Sequence, residues 1–216
     1  MMSGKLITIE GLDDSGKATQ SELLHRAIDG SKKVSFPNYE SASSALVKMY
    51  LAGEFGNHSS DVNAYAASSF YAVDRYATYK KEWASFYNAG GIVIADRYTT
   101  SNAIHQCSKL PRDQWNTFLG WLAEYEYKLL GIPEPDVTIY LHVDPEVSQK
   151  LMTERYKGDE SKKDIHEANI EYLKRSQEAA QYCANKLGWK VIECCSNGAM
   201  RSIDEIHHDI MNVISL

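Results

Sequence analysis

The chain has 216 residues, of which 44% are hydrophobic and 24% are charged, and its net charge is −6. This length suits one domain that buries a sizeable core, so we expect a single domain over residues 1–216. The acidic balance argues against nucleic acid or an anionic membrane as the main partner. It also requires that any anionic ligand be held by a local basic cluster.

Membrane and secretory signals are missing from the sequence pattern. The chain has no apolar run near the roughly 20 residues that a membrane span needs, and its N-terminus reads directly into a strand pattern without a signal or transit segment. The four cysteines, Cys107, Cys183, Cys194 and Cys195, show no C-x-x-C spacing. We therefore expect a protein of the reducing cytoplasm.

Apolar runs of strand length alternate with helical patterns along the chain, which predicts βαβ units and a parallel sheet. The predicted strands cover residues 6–9, 33–36, 92–95, 137–143 and 190–193. The predicted helices cover residues 19–29, 41–51, 62–88, 111–130, 145–155, 167–187 and 202–214.

The segment after the first strand has the pattern of a phosphate-binding loop. Residues 10–20 read EGLDDSGKATQ, with Gly11, Gly16 and Lys17 in the register G-x-x-x-x-G-K. The glycines let backbone N–H groups turn towards phosphates at a helix N-terminus, and Lys17 adds a positive charge. A glycine turn with a surface lysine would also fit, but the strand before and the helix after the loop favour phosphate binding.

The long predicted helix carries an aromatic and a cationic residue on one face. Tyr71 and Arg75 are spaced i, i+4, so a ring and a guanidinium could together bind a flat base. The other interpretation is an amphipathic helix whose aromatic residues, Phe70, Tyr71, Tyr76 and Tyr79, belong to the core. The sequence pattern leaves both open.

Asp96 and Arg97 follow the third strand. Ligands of parallel sheets bind at the carboxyl ends of the strands, so a carboxylate there lies near the expected crevice. Asp96 alone could be a helix cap. Together with the phosphate loop it is better explained as the carboxylate on the Mg²⁺ side, with Arg97 as a phosphate-binding cation.

The segment at residues 155–167 reads RYKGDESKKDIHE and is dense in charge between two predicted helices. It fits either a solvated loop or a mobile lid over a site.

These motifs together resemble the thymidylate kinase family of P-loop nucleoside monophosphate kinases. The loop IEGLDDSGKATQ, the block DRYTTS, the segment PDVTIYLHVDPEVSQKLMTER and the C-terminal RSIDEIHHDI carry the resemblance over nearly the whole chain. The resemblance implies an α/β, three-layer P-loop NTPase-type fold with a five-stranded parallel sheet flanked by helices and a short lid. It also implies a homodimer that transfers the γ-phosphoryl of ATP, with Mg²⁺, to dTMP to give dTDP.

The resemblance assigns the site residues. For ATP they are Gly11, Asp14, Ser15, Gly16, Lys17, Ala18 and Thr19. For the acceptor they are Asp13, Phe36, Pro37, Tyr39, Tyr71, Arg75, Arg97, Ser101, Asn102, His105 and Gln106. Within this set, Asp13 would lie near the 3′-hydroxyl and phosphate, Arg97 would bind the phosphate, Arg75 the base carbonyl, and Tyr71 would stack on the base. Asp96 would organise the metal through water.

Two departures from the family pattern concern the loop. Ala18 replaces the hydroxyl residue that binds Mg²⁺, and Thr19 does not substitute for it because the next helical residue points about 100° away. Mg²⁺ keeps several waters and binds substrate phosphates, so the site is weakened rather than lost. Asp14 stands where one family subtype has Arg, so the catalytic cation should come from the lid, with Arg155, Lys157, Lys162 and Lys163 as candidates.

Two further departures concern the acceptor. Tyr39 stands where relatives with an F-P motif carry Arg, and His105 stands where Tyr or Phe is usual. Three alternatives to a dTMP kinase therefore stay open. They are a kinase of different base preference, since Arg also binds guanine, a nucleotide-binding protein of weakened catalysis, and a nucleoside kinase.

Overall fold

A parallel sheet forms the centre of the protein. The structure is a computed structural model that describes residues 4–156 and 170–214. In these residues five parallel strands lie side by side in the order β2, β3, β1, β4, β5. They are β1 (Lys5–Gly11), β2 (Lys32–Ser35), β3 (Ile92–Asp96), β4 (Val137–His142) and β5 (Lys190–Glu193). The predicted α/β fold with a five-stranded parallel sheet is confirmed.

Helices cover both faces of this sheet. Those described are α1 (Lys17–Ala27), α2 (Ala45–Leu51), α3 (Ala64–Thr78), α4 (Ala84–Asn88), α5 (Thr99–Cys107), α6 (Trp115–Ala123), α7 (Pro145–Tyr156), α8 (Ile170–Leu187) and α9 (Ile203–Val213). No helix within the described ranges is both long and apolar enough to cross a bilayer.

The central strand β1 sends alternate side chains to opposite faces, as a strand must. Ile7 and Ile9 belong to a buried cluster that also takes side chains from α1 and α9. Leu6 packs into a cluster on the other face, and on that face Glu10 contacts the first turn of α5. The loop after β1 therefore begins at the middle of the sheet, beside the ends of β3 and β4.

The helix pattern differs from the prediction in three places. Helix α5 was not predicted, because its first turn consists of residues with weak helix propensity and has little apolar spacing. The predicted helix 62–88 is interrupted by a π-helical turn at Tyr79–Trp83. The predicted helix 111–130 begins with a 3₁₀ turn at Arg112–Gln114 and ends in a π-helical turn at Glu124–Leu129.

A short hairpin after β5 was also missed. Strands β6 (Cys195–Ser196) and β7 (Ala199–Met200) pair antiparallel. The turn between them is Asn197-Gly198, and both residues have positive φ, at 53° and 73°. Asn-Gly is the strongest short hairpin signal in a sequence, so this element was predictable. All four cysteines, including Cys194 directly after β5, are free thiols.

Candidate active site

The phosphate-type loop takes its shape from its two glycines. A side chain at position 11 would place its Cβ 2.4 Å from the Ser15 Oγ atom and 3.0 Å from the Leu141 carbonyl oxygen, so it would force Ser15 to move. Gly16 has φ 85° and immediately precedes α1, a left-handed conformation that glycine adopts without steric cost. The first turn of α1 has neither a side-chain cap nor an acidic residue. Its N–H groups and positive dipole end are therefore directed at the loop.

Lys17 lies at the base of this loop with its charge largely removed from water. Its Nζ donates to the Leu12 carbonyl at 2.6 Å and to the Ser15 Oγ at 3.4 Å. Burial and the nearby Arg97 lower its pKa to about 8, and the carboxylates of the site only partly offset this. An ammonium held in this way gains strongly from an added anion. The side chains of Ala18 and Thr19 are exposed at the start of α1.

Arg97 links the loop to the helix that follows β3. Its Nη2 donates to Asp13 Oδ1 at 2.5 Å, and its Nη1 lies 3.7 Å from Glu10 Oε1. Burial alone would lower the pKa of Arg97, but the charges of Asp13, Glu10 and Asp96 outweigh it and raise the pKa. Arg97 therefore stays charged throughout the accessible pH range. Its own backbone is left-handed, with φ 64°.

Glu10 is a site residue that the sequence reasoning missed. It is completely buried, and its carboxylate accepts from the Gly11 N–H, the Thr100 hydroxyl and the Ser101 hydroxyl at 2.7–2.9 Å. It thus ties β1 to the first turn of α5 and stands beside Arg97. Like Asp96, it is a carboxylate at the carboxyl end of a strand, so the same rule could have found it.

His105 is held as a neutral imidazole. Its Nε2 lies 3.5 Å from Arg97 Nη1, and its Nδ1 lies 3.2 Å from the Tyr172 hydroxyl. The two rings stack at 6.1 Å. Burial and the charge of Arg97 lower its pKa to about 3. His105 therefore contributes a polar but uncharged wall.

A cavity of about 210 Å³ lies next to the loop and brings together every residue predicted to bind the acceptor. Its lining is Asp13, Phe36, Pro37, Tyr39, Leu51, Tyr71, Arg75, Arg97, Tyr98, Ser101, Asn102, His105 and Gln106. Leu51 and Tyr98 were not predicted, although Tyr98 belongs to the block DRYTTS. We call this cavity the acceptor pocket. The individual roles within it stay predictions.

At one end of the acceptor pocket, Arg75 is already ion-paired. It is buried, and its Nε and Nη2 donate to the two carboxylate oxygens of Glu126 at 2.7 and 2.6 Å. Tyr71 lines the same pocket, with its ring edge-on to Tyr50 at 6.4 Å. Of the aromatic residues that the alternative assigned to the core, Tyr79 is buried and Tyr76 is exposed. The helix therefore contributes to both core and pocket.

Comparison with known proteins decides the family. The family model described as thymidylate kinase matches residues 9–210. The chain belongs to the thymidylate kinase family. The prediction of an ATP-dependent dTMP kinase is thereby confirmed, and the alternatives are not favoured.

Individual members of the family span most of the chain. The thymidylate kinase of Mycobacterium tuberculosis is 30% identical over 177 residues, covering 79% of this chain and 81% of the relative. That of Plasmodium falciparum is 28% identical over 216 residues, covering 98% and 90%. The solved structure of thymidylate kinase from Candida albicans has a TM-score of 0.74 at 23% identity, covering 98% and 91%, and supports the fold.

The donor set around the thymidylate kinase loop fits a metal that arrives with the nucleotide. Within residues 4–156 and 170–214, no group of three or more His, Cys, Asp or Glu side chains could hold a metal ion. Asp96, at the carboxyl end of β3, offers a carboxylate near Lys17 and Arg97. Mg²⁺ is commonly bound by one or two carboxylates together with phosphates and water, and this chain supplies that minimum.

The predicted lid falls mainly outside the part of the chain that the structure describes. Arg155 lies in the last turn of α7. Lys157, Lys162 and Lys163 lie outside the described residues.

Proposed function

We propose that this thymidylate kinase transfers the γ-phosphoryl of ATP, with Mg²⁺, to the phosphate of dTMP bound in the acceptor pocket. The observation that supports this assignment is the 2.5 Å contact between Asp13 of the loop and Arg97 of the acceptor pocket. Asp13 belongs to the loop and also lines the acceptor pocket, which supports a donor site next to the acceptor site. In-line transfer between two phosphates requires this adjacency.

The loop would hold the donor. The N–H groups at the start of α1 and the ammonium of Lys17 bind the phosphates of ATP, and Asp96 holds a water of the metal. Bound Mg²⁺ neutralises phosphate charge during the transfer. Because Ala18 offers no hydroxyl, the metal depends on phosphates, water and Asp96.

The acceptor pocket would hold the monophosphate by its two ends. Arg97 binds the phosphate in competition with Asp13, and Arg75 donates to a base carbonyl while Tyr71 stacks on the ring. The uncharged His105 borders the sugar without adding a second cation. These roles follow from the family pattern and from the shared lining of one cavity.

The catalytic cation would come from the lid at residues 155–167. Asp14 occupies the loop position that carries Arg in one family subtype, so the loop itself supplies only Lys17. Arg155, Lys157, Lys162 and Lys163 are the candidates, and a cation that reaches the transferring group stabilises its developing charge.

A steady-state acceptor panel tests the function. With ATP and Mg²⁺, we expect dTMP to have a higher kcat/KM than dUMP, dGMP or dAMP, and Lys17→Ala to lose acceptor-dependent ADP formation. A better acceptor than dTMP would contradict the assignment. Equal background ADP formation by wild type and Lys17→Ala would instead indicate a binding protein.

We also propose that the protein is a homodimer through the face formed by α3 and α6. Large side chains of α3 are exposed there, among them Tyr65 and Tyr76. Tyr65 packs at 4.7 Å against Trp121 of α6, which joins the two helices into one surface. Light scattering should give twice the chain mass for the wild type and the chain mass for Tyr76→Glu. A monomeric wild type would refute the dimer.

A further inference from the structure

Glu126 is a fully buried carboxylate behind the acceptor pocket and does not line it. It sits in the π-helical turn Glu124–Leu129, a geometry that recurs at functional sites. Both of its oxygens bind the Arg75 guanidinium, and Oε1 also accepts from Asn102 Nδ2 at 3.1 Å. Two residues that line the acceptor pocket are thus held by one carboxylate.

The Asn102 amide has only one possible orientation in this environment. Its Nδ2 donates to Glu126 Oε1 and to the Ser68 carbonyl, both at 3.1 Å. Both hydrogens of the amide nitrogen are therefore used, and a flipped amide would set its oxygen against two acceptors. The oxygen Oδ1 is the amide atom that remains for the pocket.

Arg75 is fixed as a hydrogen-bond donor towards the pocket, whereas Asn102 is fixed as an acceptor. Its Nε and Nη2 each give one hydrogen to Glu126, and its Nη1 donates to the Tyr98 carbonyl at 3.3 Å. A guanidinium carries five hydrogens, so these contacts leave one on Nη1 and one on Nη2. Burial favours loss of this charge, but the pairing with Glu126 outweighs it and raises the pKa of Arg75. Arg75 can only donate to the pocket.

A donor next to an acceptor in the pocket matches a base edge that offers an acceptor next to a donor. Thymine and uracil present a carbonyl next to a ring N–H, which matches a donor from Arg75 and an acceptor from Asn102. Cytosine presents an amino group next to an unprotonated ring nitrogen, which sets donor against donor and acceptor against acceptor. A site built to hydrogen-bond one pattern rejects the inverted pattern strongly, because its own polar groups are left unpaired.

We propose that Glu126 is a positioning residue that sets base selectivity by locking Arg75 as donor and Asn102 as acceptor. This inference rests on the proposed base-binding role of the acceptor pocket and deepens it. Glu126 acts through its two partners and touches no substrate. The selection it imposes is for an imide edge and against cytosine.

A merely structural role makes a different prediction. The ion pair joins α3, which carries Arg75, to the π-helical turn, and breaking a buried pair destabilises a protein. Loss of that support would reduce activity with all acceptors alike. The ratio between two acceptors therefore separates positioning from support.

The test is Glu126→Gln, with kcat/KM measured for dTMP, dUMP and dCMP. A glutamine accepts at only one of its two terminal atoms, so it cannot keep all three contacts with Arg75 and Asn102. We expect the dTMP/dCMP ratio of kcat/KM to fall at least about tenfold, while KM for ATP stays within about twofold of wild type. The dTMP/dUMP ratio should not change, because both bases present the same edge.

Glu124→Gln is the matched control. Glu124 lies in the same turn, but it is exposed and pairs with Lys128 at the surface, at 2.7 Å. Its substitution should leave both ratios unchanged. An unaltered dTMP/dCMP ratio in Glu126→Gln would overturn the inference, whatever the loss of total activity.

If Glu126→Gln does not fold, Glu126→Asp tests the inference instead. Its shorter carboxylate keeps the charge on Arg75 but cannot reach both partners, so we expect a smaller fall in the dTMP/dCMP ratio, of roughly threefold. An unchanged ratio again rejects the inference. A wild type without preference for dTMP over dCMP would instead refute the proposed acceptor site, so the two failures are distinguishable.

Discussion

Lys17, which we propose binds the phosphates of ATP, has a pKa of about 8, within reach of ordinary assay conditions. Its ammonium is desolvated beside Arg97, and its pKa of about 8 means that the free enzyme loses this charge in mildly alkaline buffer. The phosphates of bound ATP oppose this loss, because an adjacent anion favours the protonated form. Binding and turnover should therefore respond differently to pH.

We expect kcat/KM for ATP to fall as pH rises through about 8, while kcat stays level to higher pH. The first quantity reports the free enzyme and the second the complex. Matched pH profiles of wild type and Lys17→Arg check this, since arginine keeps its charge. A wild-type kcat/KM that stays flat through this range would contradict the assignment.

Arg97 should act on one substrate only. Arg97→Ala removes the guanidinium proposed to bind the acceptor phosphate, so we expect kcat/KM for dTMP to fall roughly 10- to 100-fold, the effect of losing hydrogen bonds to a charged group. ATP affinity should change little. Isothermal titration with each nucleotide separates the two effects, and an equal loss for both would show that the role is misassigned.

At the scale of elements, the first turn of α1 and the lid carry the unusual chemistry of this family member. The turn presents Ala18 where an oxygen ligand is expected, with Thr19 exposed beside it. Under the proposed function, a cation of the lid would compensate for a loop that has Asp14 in place of a cation. Each departure can be tested by a single substitution.

Ala18→Ser should restore an oxygen ligand at the metal. We expect a lower Mg²⁺ concentration for half-maximal activity, by a few-fold, because one protein ligand joins phosphates and water. Thr19→Ala is the control, since its side chain points about 100° away from that of Ala18. A Mg²⁺ titration at fixed ATP gives the answer, and a shift in the control alone would reverse the assignment.

The lid lysines should affect the chemical step more than binding. In Lys162→Ala and Lys163→Ala we expect kcat to fall further than KM rises for whichever lysine supplies the catalytic cation. A group that acts on developing charge stabilises the transition state more than the ground state. Initial-rate kinetics with both substrates varied would detect this, and a rise in KM alone would restrict the lid to binding.

At the scale of the whole molecule, predictions from the sequence agree with the structure where the residues concerned lie close together in the chain. The phosphate loop was predictable because its glycines, lysine, strand and helix are contiguous. The residues predicted to bind the acceptor line one cavity, including Tyr39 and His105, which depart from the family pattern. Local spacing thus carries most of the site.

What could not be predicted depends on packing between distant segments. Glu126 and Arg75 are 51 positions apart in the chain, and nothing in the sequence near either residue predicts that they pair. The π-helical turns are 5 and 6 residues long, which is too short for a period of their own to show in the sequence pattern. Helix α5 has weak propensity, and its first turn is bonded to Glu10 through Thr100 and Ser101.

The protonation of His105 should make the stability of the whole protein depend on pH. Its pKa is about 3 in the folded protein against an ordinary 6.5. Between these values the unfolded chain binds a proton that the folded protein does not, so stability falls as pH falls from about 6.5 towards 3. Above this range both states are neutral and the contribution vanishes.

His105→Phe should therefore flatten the acid side of the stability profile, because phenylalanine binds no proton. Thermal melts of the two proteins between about pH 4 and about pH 7 give the slope of Tm against pH in each. Parallel slopes would show that His105 is protonated in the folded state.

The contact between Asp13 and Arg97 also affects which anions can bind in the acceptor pocket. An anion that enters the acceptor pocket must compete with a carboxylate that already neutralises the guanidinium at 2.5 Å. A phosphate dianion, with more charge and more acceptor oxygens, can win that competition, whereas chloride or the bare hydroxyl of a nucleoside cannot. If Arg97 binds the acceptor phosphate as proposed, this competition would favour phosphorylated acceptors over free nucleosides.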